Sequence, residues 1–270
     1  GSEAKNYWQD VDLYLGGSEH ATGHLLYSRF WQKFLFDLGL LPVDEYAKKL
    51  INQGMILGSS AFIYRISGSQ TYVSKDLLKS EITYEPIRVD VNLVNASEEI
   101  DVEGLKKWQP QFATAIFELS EGVFKVGREV EKMSKSKYNV VNPDEICDQY
   151  GADTLRMYEM FLGPLEQAKP WNTAGISGVH NFLRKFWKLF YENDSLIVTD
   201  AVPDKKALKV LHETIKKITE DIESFSFNTC VSSFMICVNE LTSLNCHSIE
   251  ILKPLTVLLS PFAPHLSEEL

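Results

Sequence analysis

Three lysines fall within the six residues Lys132-Met133-Ser134-Lys135-Ser136-Lys137. Lysine carries a compact positive charge on a flexible stem, which suits it to following a polyphosphate as it moves. Serine hydroxyls and free backbone N–H groups add uncharged donors to phosphate oxygens. Five residues on, Asn142-Pro143-Asp144-Glu145 has the form of a helix start, with proline at the first helical position. A helix N-terminus close behind such a loop adds a dipole favourable to anions if it points at the same place. Without further context, a solvated basic loop explains the lysines equally well. A second group, Glu19, His20 and His24, has metal-ligating side chains. Its order, Glu-His-x-x-x-His, differs from the H-E-x-x-H zinc arrangement and no third ligand is evident, so no protein-bound metal is expected.

These residues need elements to hold them. Residues 11–15 have a strand composition and run into Gly16-Gly17. From 19 to 38, Leu25, Leu26, Phe30, Phe34 and Leu38 recur at helical spacing, and Gly39 is a natural stop. A short helix over 44–51 and a short buried strand over 54–58 are predicted next. Strand, helix, strand is the order of a parallel α/β sheet. Residues 59–130 are rich in serine, glycine, β-branched and aromatic residues. Residues 62–66 and 87–94 alternate with period two, with turns between them such as Ser67-Gly68-Ser69, and 102–108 form a helical turn or two. From Asn142 onward the pattern is helical, with breaks at Gly163-Pro164, at 193–203, and at Pro254, Pro261 and Pro264. At least four helices are predicted, the longest over 173–191 and 205–223, packed as an antiparallel bundle.

Composition limits the function classes. Of the 270 residues, 44% are hydrophobic and 24% charged, which is enough to build a globular core. No uninterrupted apolar stretch reaches the ~18 residues of a membrane span. The net charge of −10 excludes nucleic-acid binding by bulk charge, so any RNA contact must come from local basic patches. Arg184, Lys185 and Lys188 form one such cluster; Lys205, Lys206 and Lys209, with Lys216 and Lys217, form others. Solvated helix faces are the default reading of all of them. Cys147, Cys230, Cys237 and Cys246 have neither zinc nor disulfide spacing and read as buried thiols of a reducing compartment. Gly1-Ser2 reads as an appended pair, and both ends suggest a piece of a longer polypeptide.

Residues 132–136 match the KMSKS signature of class I aminoacyl-tRNA synthetases, and the surroundings extend the resemblance. Asn142-Pro143-Asp144-Glu145-Ile146 and Tyr150-Gly151-Ala152-Asp153-Thr154-Leu155-Arg156 follow as they do in that family. The run from Tyr158 through Gly163-Pro164-Leu165-Glu166, then Trp171-Asn172-Thr173 and Asn181-Phe182-Leu183-Arg184-Lys185-Phe186-Trp187, resembles the leucyl-tRNA synthetases in particular. It disfavours the valine and isoleucine enzymes, which share fold and loop. Upstream, Val11-Asp12-Leu13-Tyr14-Leu15-Gly16-Gly17-Ser18-Glu19-His20-Ala21 is similar to the family's adenosine-binding stretch, and Gln53-Gly54-Met55 to the segment that frames adenine. Taken singly, Met55 is an ordinary core residue and Gly16-Gly17 an ordinary strand end. The resemblance runs from Tyr7 to Leu270 and is weakest over 59–130, where bacterial members carry a leucine-specific insertion.

The resemblance implies an α/β fold: the second half of a Rossmann-like parallel sheet with a small β-rich insertion, then an α-helical bundle. The implied domains are 6–60 (nucleotide-binding half), 61–130 (insertion), 131–170 (KMSKS loop and connecting helices) and 171–270 (helical tRNA anticodon-binding type). It implies a leucine–tRNA ligase with leucine, ATP and tRNA(Leu) as partners, magnesium arriving with ATP, and a cytoplasmic location. Lys132 and Lys135 are the implied catalytic residues. Lys135, Gly17, Glu19, His20, His24, Gln53 and Met55 are the implied ATP contacts; the glycines admit a nucleotide close to the backbone and Glu19 suits ribose hydroxyls. The family's HIGH signature, its editing domain and its C-terminal tRNA-binding parts are not in this sequence, so the chain alone is expected to be inactive, with an exposed sheet edge and apolar face. The alternative is a non-catalytic tRNA-binding or scaffold protein derived from a synthetase.

Overall fold

The computed structural model describes residues 2–17 and 21–270. The chain divides into two compact units: Gly1–Met55 with Pro143–Leu270, and Ile56–Asn142.

The first unit opens with a short helix, α1 (Ser2–Tyr7), where the sequence suggested no element. Strand β1 (Tyr14–Gly17) leads through a π-helical turn (Ala21–Leu25) into helix α2 (Leu26–Asp37) and back to strand β2 (Leu50–Gln53). The two strands are parallel, in register from Tyr14 opposite Leu50 to Gly17 opposite Gln53. A strand, helix, strand order is therefore present, but its second strand is 50–53 and not the one expected over 54–58. Gly39 ends α2 as expected: at φ +68° it directs its own N–H to Phe36 O and that of Leu40 to Leu35 O, the two bonds of a Schellman turn.

The helix expected over 44–51 does not form. The backbone of this segment is spent on a neighbouring strand instead: Val11 N–H donates to Tyr46 O and Lys48 N–H to Val11 O. Glu45 is held by Arg29 and Lys33 of α2 at 2.6 and 2.9 Å, which keeps the segment against that helix. Helical periodicity cannot register such competition from a distant chain segment.

The second unit is built on one long strand, β3 (Ile56–Ile66). The strands expected over 54–58 and 62–66 are thus parts of one element. Strand β4 (Thr71–Val73) pairs antiparallel with the end of β3, and β5 (Tyr84–Val89) pairs antiparallel along residues 61–66. Helix α3 (Val102–Trp108) is capped by Asp101, whose carboxylate accepts from Gly104 N–H. Strand β6 (Ile116–Glu118) lies parallel to β4, and β7 (Gly127–Lys132) pairs antiparallel with residues 57–62 of β3. The core is a cluster including Ile63, Tyr72, Val89, Leu105, Phe112, Phe124 and Val126. The alternation over 87–94 stops being a strand at Val89. Asp90 accepts from Asn92 N–H, and Val91 N–H turns to Tyr138 O, so the chain leaves the sheet there.

The rest of the first unit is helical: α4 (Pro143–Tyr150), α5 (Ala152–Phe161), α6 (Ile176–Trp187), α7 (Lys205–Glu223), α8 (Phe227–Ser243), α9 (Ile249–Leu259) and α10 (Pro264–Glu269). Helices α7 and α8 form a hairpin whose seam buries Leu211 and Ile218 against Cys230, Phe234, Cys237 and Leu241. Burial pushes the Cys230 and Cys237 thiols up to about 11, so they act as apolar filling. Cys246 is also buried and Cys147 half-buried, and all four are free. Pro254, expected to break a helix, sits inside α9. An interior proline costs about 3 kcal/mol. Ile251, Leu252, Leu255 and Leu259 are fully buried on that helix, and at roughly 1.5–3 kcal/mol each their burial outweighs it. Among the described residues no helix is long and apolar enough to cross a membrane.

Candidate nucleotide and phosphate sites

The residues singled out in the sequence fall into two clusters, one in each unit. The first lies at the carboxyl ends of β1 and β2, where ligands of open parallel sheets bind. Tyr14, Leu15, Gly16, Gly17, His24, Leu25, Leu50 and Asn52 line a cavity of about 250 Å³. Gly17 sits at the strand end, and a Cβ at Gly16 would meet nothing within 4 Å. His24 is carried by the π-helical turn. Its Nε2 is hydrogen-bonded to the Tyr14 hydroxyl, and the two rings stack at 5.8 Å between centroids. Gly17 and His24 are therefore brought together. Glu19 and His20 lie outside the described residues.

Gln53 is the backbone neighbour of Gly17 in the sheet, and the backbone of Gly54-Met55 continues into a second junction. Gly54 N–H donates to Leu165 O, and Lys169 N–H donates to Met55 O, both at 2.9 Å. A Cβ on Gly54 would lie 2.0 Å from Gln167 O, so only glycine allows this approach. Two motifs far apart in sequence, Gln53-Gly54-Met55 and Gly163-Pro164-Leu165-Glu166, thus close on each other. Lys169 belongs to this junction and was not anticipated. It is 9% exposed and has no partner among the described residues; burial alone lowers its ammonium pKa. Composition cannot reveal which lysine of many lies at such a junction.

The second cluster is the KMSKS segment. It begins in the last residue of β7 and continues into a 3₁₀ turn, Lys135–Lys137, which ends at Tyr138 in the left-handed region (φ 53°). Its three lysines are not equivalent. Lys137 is ion-paired with Glu131, which also accepts from the Ser60 hydroxyl and from Arg88 Nε at 3.2 Å. This surplus of donors depresses the Glu131 carboxyl to about 2, the Lys137 bond contributing most. Lys132 and Lys135 are exposed and have no partner among the described residues. Ser134 and Ser136 hydroxyls are bonded to each other at 2.9 Å.

Asn139, also unanticipated, closes the base of the loop. It is 1% exposed. Its Oδ1 accepts from Ser134 N–H at 2.8 Å; its Nδ2 donates to Ser60 Oγ at 2.9 Å and to Lys132 O at 3.3 Å. A Cβ on Gly58 would lie 2.5 Å from Asn139 O, so a glycine is needed opposite it. Among the described residues no group of three or more His, Cys, Asp or Glu side chains is placed to hold a metal ion.

A parallel strand pair with a cavity at its carboxyl ends, a KMSKS loop on a β-rich unit and a helical bundle resemble the parts of class I tRNA synthetases. Residues 120–171 match the family of class I tRNA synthetases for isoleucine, leucine, methionine and valine, and residues 204–270 the anticodon-binding domain of tRNA ligases. Within that class the sequence is similar to a segment of leucine–tRNA ligases. It is 67% identical to the leucine–tRNA ligase of Christiangramia forsetii and 64% identical to that of Flavobacterium johnsoniae, each over 99% of this chain. The chain spans 28% of the length of both relatives. Its fold is similar to that of an Agrobacterium radiobacter LeuRS solved in a ternary complex with tRNA and LeuAMS, with TM-score 0.59 and 27% identity, covering 96% of this chain and 27% of that one. The fold alone is shared with a Mycobacterium tuberculosis methionyl-tRNA synthetase, with TM-score 0.51 and 12% identity, covering 96% of this chain and 43% of that one.

Proposed function

We propose that this chain is the KMSKS-bearing part of a cytoplasmic enzyme that activates leucine with ATP and transfers it to tRNA(Leu). In the first step a leucine carboxylate oxygen attacks the α-phosphorus of ATP and pyrophosphate leaves. In the second, a hydroxyl of the terminal tRNA ribose attacks the leucyl carbonyl and AMP leaves. No covalent enzyme intermediate is required, and the protein acts by positioning and by stabilising phosphate charge.

Lys132 and Lys135 neutralise the β- and γ-phosphates as pyrophosphate departs. The observation that carries this reading is the division of labour in the loop: Lys137 is tied to Glu131, while Lys132 and Lys135 are exposed and have no partner among the described residues. Gly17 and His24 on the small cavity, with Glu19, His20, Gln53 and Met55, receive the adenosine side. Magnesium arrives bound to the ATP phosphates, which it normally prefers to all-protein cages. The helical bundle meets the tRNA. The family's HIGH signature and editing domain are supplied by the remainder of the polypeptide.

Leucine-dependent exchange of pyrophosphate into ATP tests the reading, first with this chain alone and then with the HIGH-bearing half added. No exchange alone, and recovery on mixing that Lys135→Ala abolishes, is the expected result. Exchange by the chain alone would mean that it already holds a complete adenylation site, and would overturn the division proposed.

A further inference from the structure

The KMSKS loop presents two free ammonium groups from a backbone that makes few bonds of its own. Within the loop, the 3₁₀ turn bonds Lys137 N–H to Ser134 O and Tyr138 N–H to Lys135 O, and the bond between the Ser134 and Ser136 hydroxyls, stiffen it. Its base is closed by one side chain. Asn139 accepts from Ser134 N–H and donates to the carbonyl of Lys132, so it grips the backbone on both sides of Met133. The same amide donates to Ser60 Oγ, and Ser60 is fully buried in the middle of β3. The Ser60 hydroxyl in turn donates a hydrogen bond to Glu131, and Glu131 holds Lys137. The chain of bonds runs from the sheet through Ser60 to both ends of the loop.

We propose that Asn139 is a positioning residue of the KMSKS loop. By tying Lys132 O and Ser134 N to Ser60, it sets the spacing from which Lys132 and Lys135 reach the phosphates, while the Glu131–Lys137 pair anchors the far end. This rests on the reading of Lys132 and Lys135 as phosphate ligands and adds a residue that touches no substrate. A buried carboxamide that uses both its oxygen and its nitrogen has few substitutes. Aspartate keeps the acceptor for Ser134 N–H but loses both donated bonds; alanine loses all three. Buried groups left without partners relax the loop, and misplacement of charged side chains by about 1 Å costs on the order of 100-fold in rate.

The test is pyrophosphate exchange by the full-length ligase carrying this segment, with Asn139→Ala, Asn139→Asp, Lys135→Ala and the double variant Asn139→Ala/Lys135→Ala, each with a thermal melt. Asn139→Ala is expected to lower exchange on the order of 100-fold, with Asn139→Asp intermediate and the Michaelis constant for leucine unchanged. In the Lys135→Ala background the further loss from Asn139→Ala should shrink to a few-fold, because both changes remove one function. Losses that multiply in the double variant would overturn the positioning role and mark Asn139 as merely structural. So would a loss of exchange that follows the loss of folded protein in the melts. If Lys135→Ala itself leaves exchange intact, the phosphate-ligand reading fails instead, and the two failures are separable.

Discussion

At Glu131 one carboxylate carries three tasks: it accepts from Ser60, pairs with Lys137 and pairs with Arg88. Its acid form is disfavoured in the folded chain down to a pH of about 2, against an ordinary 4.5. The unfolded chain therefore binds the proton first as pH falls. The stabilising contribution is complete above pH 4.5 and is lost progressively toward pH 2. In urea melts of the parent and Glu131→Gln, the gap between the two should be widest at pH 5 and above, narrowing at pH 3. The lysines separate at the same scale. Lys132→Ala and Lys135→Ala should each slow pyrophosphate exchange while leaving the melting temperature within a degree or two, since exposed, unpaired side chains contribute little to folding. Lys137→Ala should in addition lower stability, because it leaves Glu131 short of its strongest partner.

Among the elements, two short segments set limits that can be tested directly. Gly54→Ala would place a Cβ 2.0 Å from Gln167 O, which is backbone and cannot swing away. The junction of residues 53–55 with 165–169 must then open, at a cost of about 1–3 kcal/mol, the usual range for overpacking; a chemical melt reads it. Pro254 in α9 works in the opposite sense. Pro254→Ala restores an N–H for the Glu250 carbonyl in the same helix and should raise stability by up to about 3 kcal/mol, read by the same melt. If it does not, the helix has already relaxed around the proline.

Over the whole molecule, the two units differ in how they treat apolar surface. The Ile56–Asn142 unit buries Tyr72, Phe112 and Phe124 in one hydrophobic core. In the other unit, α2 has no buried residue, and Leu26, Tyr27, Phe30, Trp31 and Phe34 are all exposed, Leu26 by 68% and Phe30 by 63%. Such a contiguous apolar face is uncommon on a finished surface. The isolated chain should bind an apolar fluorescent dye at this helix. Phe30→Glu with Trp31→Glu should cut the fluorescence and raise the solubility limit without lowering the melting temperature. Unchanged dye binding in that variant would place the apolar surface elsewhere.

Much of this architecture was readable from local pattern. Gly39 as a helix stop, Pro143 at a helix start and the α7 span all depend on neighbours within a turn or two, where backbone sterics act directly. Tertiary structure decided what depends on distant partners. It turned the segment at 44–51 toward Val11 and away from a helix, and it joined two predicted strands into β3. It carried α9 through Pro254 on the burial of four side chains. It also sorted three similar lysines into two free cations and one tether, and buried Asn139 and Lys169 where composition shows only another asparagine and another lysine. A residue's type sets what it can bond, and its local spacing sets which helix or strand face it can occupy. Which partner it meets, and whether water remains beside it, is set by segments that only the fold brings together.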